Sequence, residues 1–148
     1  MKDQRGFTAI HVVFLLIFLG VIATGYVFYQ KSEEKKYNAE SYQQLENLSM
    51  KFEDKISVAE STPRIGLGSA LNDLATIKSE ISALTVSECL MPAKASLSDY
   101  VAARLGFMSD FAAEKIDVDN PESYQYYIEN AQTSLSEYQT NMQECQPS

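Results

Sequence analysis

The 148-residue sequence has a single histidine, His11, and it falls within the first dozen residues. Everything after it lacks an imidazole, which removes the commonest general base and the commonest metal ligand from most of the chain. Two cysteines, Cys89 and Cys145, stand far apart, with no C-x-x-C pair to suggest a zinc or redox motif. No serine sits in a nucleophile elbow. No lysine/arginine stripe interleaved with aromatics appears either. From Gln30 onward 10 basic residues face 19 acidic ones, a balance of −9. Such a chain does not seek nucleic acid; the negative charge keeps it soluble and apart from anionic lipid headgroups. These absences leave enzymatic catalysis without support.

Two short motifs fail on inspection. Gly66 and Gly68 give G-L-G with no strand before and no phosphate motif after, so dinucleotide binding is excluded and the glycines read as a bend or a close helix approach. Asp117, Asp119 and Glu122 in DVDNPES suggest calcium. An EF-hand loop counted from Asp117 needs glycine at its sixth place and glutamate at its twelfth, where this chain has Glu122 and Ile128. The segment reads as a solvated turn, and no metal or cofactor is expected.

What is present begins with an apolar run. Val12 to Tyr29 is eighteen residues without a charge, and Ala9, Ile10 and His11 bring it to 21. That length crosses a bilayer core as a helix. A removable secretory signal has a shorter apolar core and ends in small residues, whereas this run ends YVFYQK. The segment therefore reads as a retained anchor, with Tyr26 and Tyr29 in the interfacial belt at its far end.

The stretch MKDQRG followed by FTAIHVVFLLIFLG resembles the leader and first helix of type IV pilins and type II secretion pseudopilins. The resemblance covers roughly residues 4–30 and implies several things. A prepilin peptidase would cleave after Gly6 on the cytoplasmic side and methylate the new amine of Phe7. Gly20 falls where many family members carry a glycine within the helix. The chain would be a minor subunit of a pilus or secretion filament, with pilin or pseudopilin subunits as partners. Two positions depart from the pattern. The family has glutamate at the fifth mature residue, thought to pair with a neighbouring subunit's terminal amine; here that residue is His11. The proline common late in the helix is replaced near that place by Phe28. A neutral imidazole is less costly to bury than a carboxylate and accepts one hydrogen bond from an amine; protonated, it repels one. His11 therefore keeps two readings, an altered assembly position or a residue at lipid headgroup level without a partner. The rival to the whole resemblance is an ordinary single-span anchor bearing a periplasmic helical binding module.

Beyond the anchor the pattern is helical. No proline or glycine occurs from Gln30 through Glu60, and Leu45, Leu48, Phe52, Ile56 and Ala59 recur at steps of three and four. The spacing predicts the membrane helix continuing as one rod to near residue 60, where Ser61-Thr62-Pro63 breaks it. A second helix is predicted from about Gly66 to Leu84. A third runs from about Glu88 to Lys115, with a Thr85/Glu88 capping box and Pro92 in its first turn. A fourth starts at the Asn120-Pro121-Glu122 signal and runs to about Glu144. Tyr124 and Tyr127 fit its inward stripe, leaving Tyr126 as an exposed candidate contact residue.

No strand alternation appears, unlike the sheet-containing globular domains of the pilin family. The expected fold is all-α: a leader over 1–6, a transmembrane helix over 7–30, a helical extension over 31–60, and an up-and-down bundle over 61–148 completed by that extension. Helices three and four, packed antiparallel, bring Cys89 beside Cys145, which predicts a disulfide and hence an oxidising compartment. Flanking charge alone is nearly balanced, Lys2 and Arg5 against Lys31, Lys35 and Lys36. The disulfide and the leader set the expected orientation: bacterial inner membrane, N-terminus cytoplasmic, C-terminal domain periplasmic.

Overall fold

A computed structural model describes Glu33 and residues 35–147. The leader, the expected membrane helix over 7–30, and Gly6, Phe7 and His11 lie outside the described residues. Among those described, no helix is long and apolar enough to cross a membrane. The chain divides into two units, Met1–Tyr37 and Asn38–Ser148; the second is a bundle of four helices with no strand among the described residues.

The first helix, α1, is helical over residues 35–60. Leu45, Phe52, Ile56 and Ala59 are buried as the spacing predicts, and Leu48 is half-buried. Ser41, one turn before Leu45, is buried as well. The helix stops at the expected break. Ser61 and Thr62 both donate their hydroxyls to the Val58 carbonyl, at 2.9 and 2.7 Å, satisfying an acceptor that the helix no longer serves. Pro63 then supplies no backbone N–H. A 3-10 turn over Arg64–Gly66 leads into α2, Leu67–Ala83, which buries Leu67, Leu74, Ile77 and Ile81. Lys51 pairs with Glu80 and Lys55 with Asp73, so α1 and α2 run antiparallel. Both pairs are about half exposed and add little stability, under about 1 kcal/mol each.

The connection at 84–87 is extended, and the Thr85/Glu88 capping box does not form. A 3-10 turn over Glu88–Leu90 intervenes, with Ser87 at its N-cap and no side-chain cap. The Ser87 hydroxyl at this N-cap donates to Asn38 Oδ1 on α1, at 2.5 Å, rather than serving as a cap. Helix α3, Met91–Ala112, follows with Pro92 in its first turn, where no partner for a backbone N–H is needed. Its buried stripe includes Ala93, Leu97, Val101 and Met108. The α3 terminus closes in a Schellman arrangement: Lys115 N–H bonds the Asp110 carbonyl and Glu114 N–H the Phe111 carbonyl. That geometry puts Glu114 at φ 60°, the one positive-φ non-glycine residue among those described. Asn120 caps the next 3-10 turn, Pro121–Ser123, by accepting from Glu122 N–H at 3.2 Å. Helix α4 then runs Gln125–Glu144 and buries Ala131, Tyr138 and Met142.

Cys89 and Cys145 form a disulfide across 56 residues of chain, with Cα atoms 5.8 Å apart. The antiparallel packing of α3 and α4 brings them together, as the pattern predicts. The core is continuous among the four helices. Phe52 of α1 meets Tyr100 of α3 edge-on, with ring centroids 5.7 Å apart.

Candidate functional site

The structure places the sequence-predicted residues unevenly. Gly6, Phe7 and His11 lie outside the described residues. Cys89 and Cys145 are joined at the end of the bundle where α1 begins. Asn38 reinforces that end: its Nδ2 donates to the Cys145 carbonyl at 3.3 Å, while its Oδ1 accepts from Ser87. Three segments distant in sequence meet there beside a covalent bond.

The acidic loop at the opposite end is turned in on its own backbone. Asp117 Oδ1 accepts from Asp119 N–H at 3.0 Å, and Ser123 Oγ donates to the Asp117 carbonyl at 2.8 Å. No group of three His, Cys, Asp or Glu side chains capable of holding a metal ion exists among the described residues. Gly66 lies in the 3-10 turn after Pro63, and a Cβ on Gly68 would meet nothing within 4 Å. The G-L-G pair is thus part of a helix start, where a Cβ on Gly66 would come within 3.0 Å of Thr62 Cγ2 in the preceding turn.

The tyrosines form the best-defined arrangement. Tyr126 is 71% exposed, as predicted, whereas Tyr124 and Tyr127 are half-buried rather than in the core. They pack on the outer part of α3: Phe107 meets Tyr124 and Tyr127 edge-on at 6.0 and 6.3 Å, and stacks on Phe111 at 6.4 Å. Arg64 covers the Phe111 ring at 4.5 Å, a cation–π contact that ties the α1–α2 turn to α3. Tyr127 is the most tightly placed. Its ring lies against Gly106, where an added Cβ would come within 2.9 Å of Cε1. Its hydroxyl donates to Asp110 Oδ2 at 2.5 Å. That bond, with a second from Lys115, holds the Asp110 carboxyl below the usual carboxylate range. The same bond to Asp110 raises the Tyr127 phenol.

Along this seam α3 and α4 leave a groove of about 390 Å³, lined by Asp99, Ala102 and Ala103 from α3 and Tyr126, Tyr127, Asn130 and Ser134 from α4. The positions follow helical spacing on both sides, 99-102-103 and 126/127-130-134, so the groove is the outer valley between two helices. A second, more apolar hollow of about 590 Å³ lies over the α2–α3 connection, beside Leu84, Val86 and Met91. Lys94 crosses it, donating to the Ser82 and Leu84 carbonyls at 2.9 and 2.7 Å. Its ammonium caps the end of α2 and is occupied.

Two further tyrosines are perturbed inside the bundle. Burial raises the Tyr100 phenol, and the Glu53 carboxylate beside it adds to the shift. Burial likewise raises Tyr138, opposed by a hydrogen bond from Ser49. Both rings have one edge in the core and a hydroxyl near α1, which is structural use of tyrosine.

Sequence reasoning missed Gly106, Asp110 and Asn38. Gly106 is visible as the lone glycine inside a helical pattern, a standing sign of close approach. Nothing local marks Asp110 or Asn38, because their partners are 17 and 107 residues away. Comparison with known proteins finds no matching family model, no matching curated protein and no matching solved structure.

Proposed function

We propose that this chain is a pilin-like, membrane-anchored structural subunit, cleaved after Gly6 and methylated at Phe7. In this reading its helical bundle lies on the periplasmic side, and the chain is a minor component of a pilus or secretion filament. The observation that carries the reading is the order of residues at the start: a short basic leader, Arg5-Gly6-Phe7-Thr8, and at once an uncharged run to Tyr29. The disulfide supports an oxidising compartment for the bundle. The mechanism is structural. Residues 7–30 pack with neighbouring subunits in the membrane, and the bundle faces outward as a rigid module.

The second reading is an ordinary single-span inner-membrane protein carrying a periplasmic helical binding module. His11 in place of glutamate favours it, as does a bundle without strands among the described residues. N-terminal mass analysis of membrane-extracted protein, with and without the prepilin peptidase, separates the two. Loss of MKDQRG only when the peptidase is present is the expected result. A chain beginning at Met1 in both samples overturns the pilin-like reading. His11→Glu then asks whether association with filament subunits rises.

A further inference from the structure

The seam groove between α3 and α4 combines an aromatic corner with an unneutralised carboxylate. The Tyr126 and Tyr127 ring centroids are 5.8 Å apart and their planes stand at 70°. One ring's edge therefore meets the other's face, and both rings line the groove. Tyr127 is fixed by Gly106 beneath it and by its bond to Asp110. A phenol donating to a carboxylate has an electron-rich ring, which strengthens the negative face it presents. On the α3 side stands Asp99, which makes no ion pair among the described residues. Asn130 and Ser134 add neutral hydrogen-bonding groups, and no lysine or arginine lines the groove.

We propose that this groove binds an organic cation, the guanidinium or ammonium head of an arginine or lysine side chain carried by a partner polypeptide. The sign of the charge selects the class. The face of a groove-lining tyrosine, Tyr126 being 71% exposed, attracts a cation through the ring quadrupole, and the carboxylate completes its neutralisation. A neutral saccharide would stack on the same rings but leave Asp99 uncompensated, and an anion would be repelled by Asp99. The groove is open along the seam, so a side chain enters with its backbone still attached. The methyl groups of Ala102 and Ala103 give the aliphatic stem of such a side chain an apolar floor. The site lies wholly within the bundle and is independent of processing at Gly6.

The test uses the full chain in detergent micelles, following the NMR signals of the Ala102 and Ala103 methyls and the Tyr126 ring. The probes are Nα-acetyl-arginine methylamide, tetramethylammonium chloride, methyl glucoside, and sodium chloride at matched ionic strength. The arginine derivative is expected to give saturable millimolar binding. Tetramethylammonium, which has no donor for Asp99, binds more weakly. Asp99→Asn and Tyr126→Ala should each raise the dissociation constant about fivefold or more, whereas Tyr126→Phe stays within about twofold, because the ring and not the hydroxyl is used. Both side chains are exposed, so an unchanged melting curve is expected of these variants. Shifts that do not saturate, shifts reproduced by sodium chloride, tighter binding of the glucoside, or binding of tetramethylammonium without the arginine derivative would each overturn the proposal. So would an Asp99→Asn variant that binds as the parent does.

Discussion

The two ends of the bundle are held by different means. At one end Cys89, Cys145, Asn38 and Ser87 join α1, the α2–α3 connection and the end of α4 through a covalent bond and two hydrogen bonds. At the other, the α1–α2 turn and the α3–α4 loop meet through side chains alone. Arg64 lies over Phe111 and pairs with Glu114, Arg104 pairs with Glu60, and Tyr127 is hydrogen-bonded to Asp110. Ile65 is fully exposed at this end and Val118 more than half exposed. The first end restrains the unfolded chain as well as the folded one. The second acts only while folded, and each partly exposed pair there contributes little after solvent screening. A bundle of this size has a limited core, so one strong closure and one weak one is a consequential asymmetry.

The largest way to break this comparison is to remove the disulfide. A bridge spanning 56 residues contributes about 4 kcal/mol in the chain-entropy model. Cys89→Ser with Cys145→Ser, or the parent under reductant, should melt on the order of 15 °C lower by circular dichroism. A fall of a degree or two would place the main restraint elsewhere. Next comes Gly106→Ala at the weaker end. Removing a mid-helix glycine favours the helix by about 1 kcal/mol, but the 2.9 Å approach to the Tyr127 ring costs about 1–3 kcal/mol in overpacking. The expected net is a loss of about 1 kcal/mol in denaturant unfolding. A gain would show that Tyr127 swings aside freely.

Glu114→Gly sharpens the comparison from the other side. It relieves a left-handed residue at φ 60° and sacrifices only an exposed pair to Arg64, for a gain of about 0.5 kcal/mol by the same unfolding measurement. The smallest effect is the acid response of Asp110. Its folded-state pKa lies below its unfolded one, so its bonds to Tyr127 and Lys115 stabilise the fold above the unfolded value, about 4. That contribution is lost as pH falls through the lower folded value. Tyr127→Phe should make this part of the acid slope shallower by slightly lowering the neutral-pH melting point, with variant and parent converging at pH values below the folded value of Asp110.

The helices were legible because their burial is periodic and local. Leu45, Phe52, Ile56 and Ala59, like Leu90, Ala93, Leu97 and Val101, carry the stripe in the residues themselves. The disulfide followed from the same pattern, since two antiparallel helices of similar length put Cys89 beside Cys145. What the pattern did not reveal is where polar side chains commit themselves across the bundle. Ser87, at the N-cap of the 3-10 turn found where a Thr85/Glu88 capping box is expected, serves Asn38 rather than its own helix. The groove at Asp99 and Tyr126 depends on which faces of α3 and α4 pass each other, and spacing within one helix cannot specify that. The anchor and the His11 position rest on sequence alone.

The closed disulfide loop also determines how the domain answers a pull. If tension is applied between Asn38 and the C-terminus, only residues 38–88 and the short tail after Cys145 can lengthen. The 56 peptide steps from Cys89 to Cys145, roughly 190 Å of extended chain, stay out of the load path. Helices α3 and α4, with the groove between them, would be bypassed by the force, while α1 and α2 bear it.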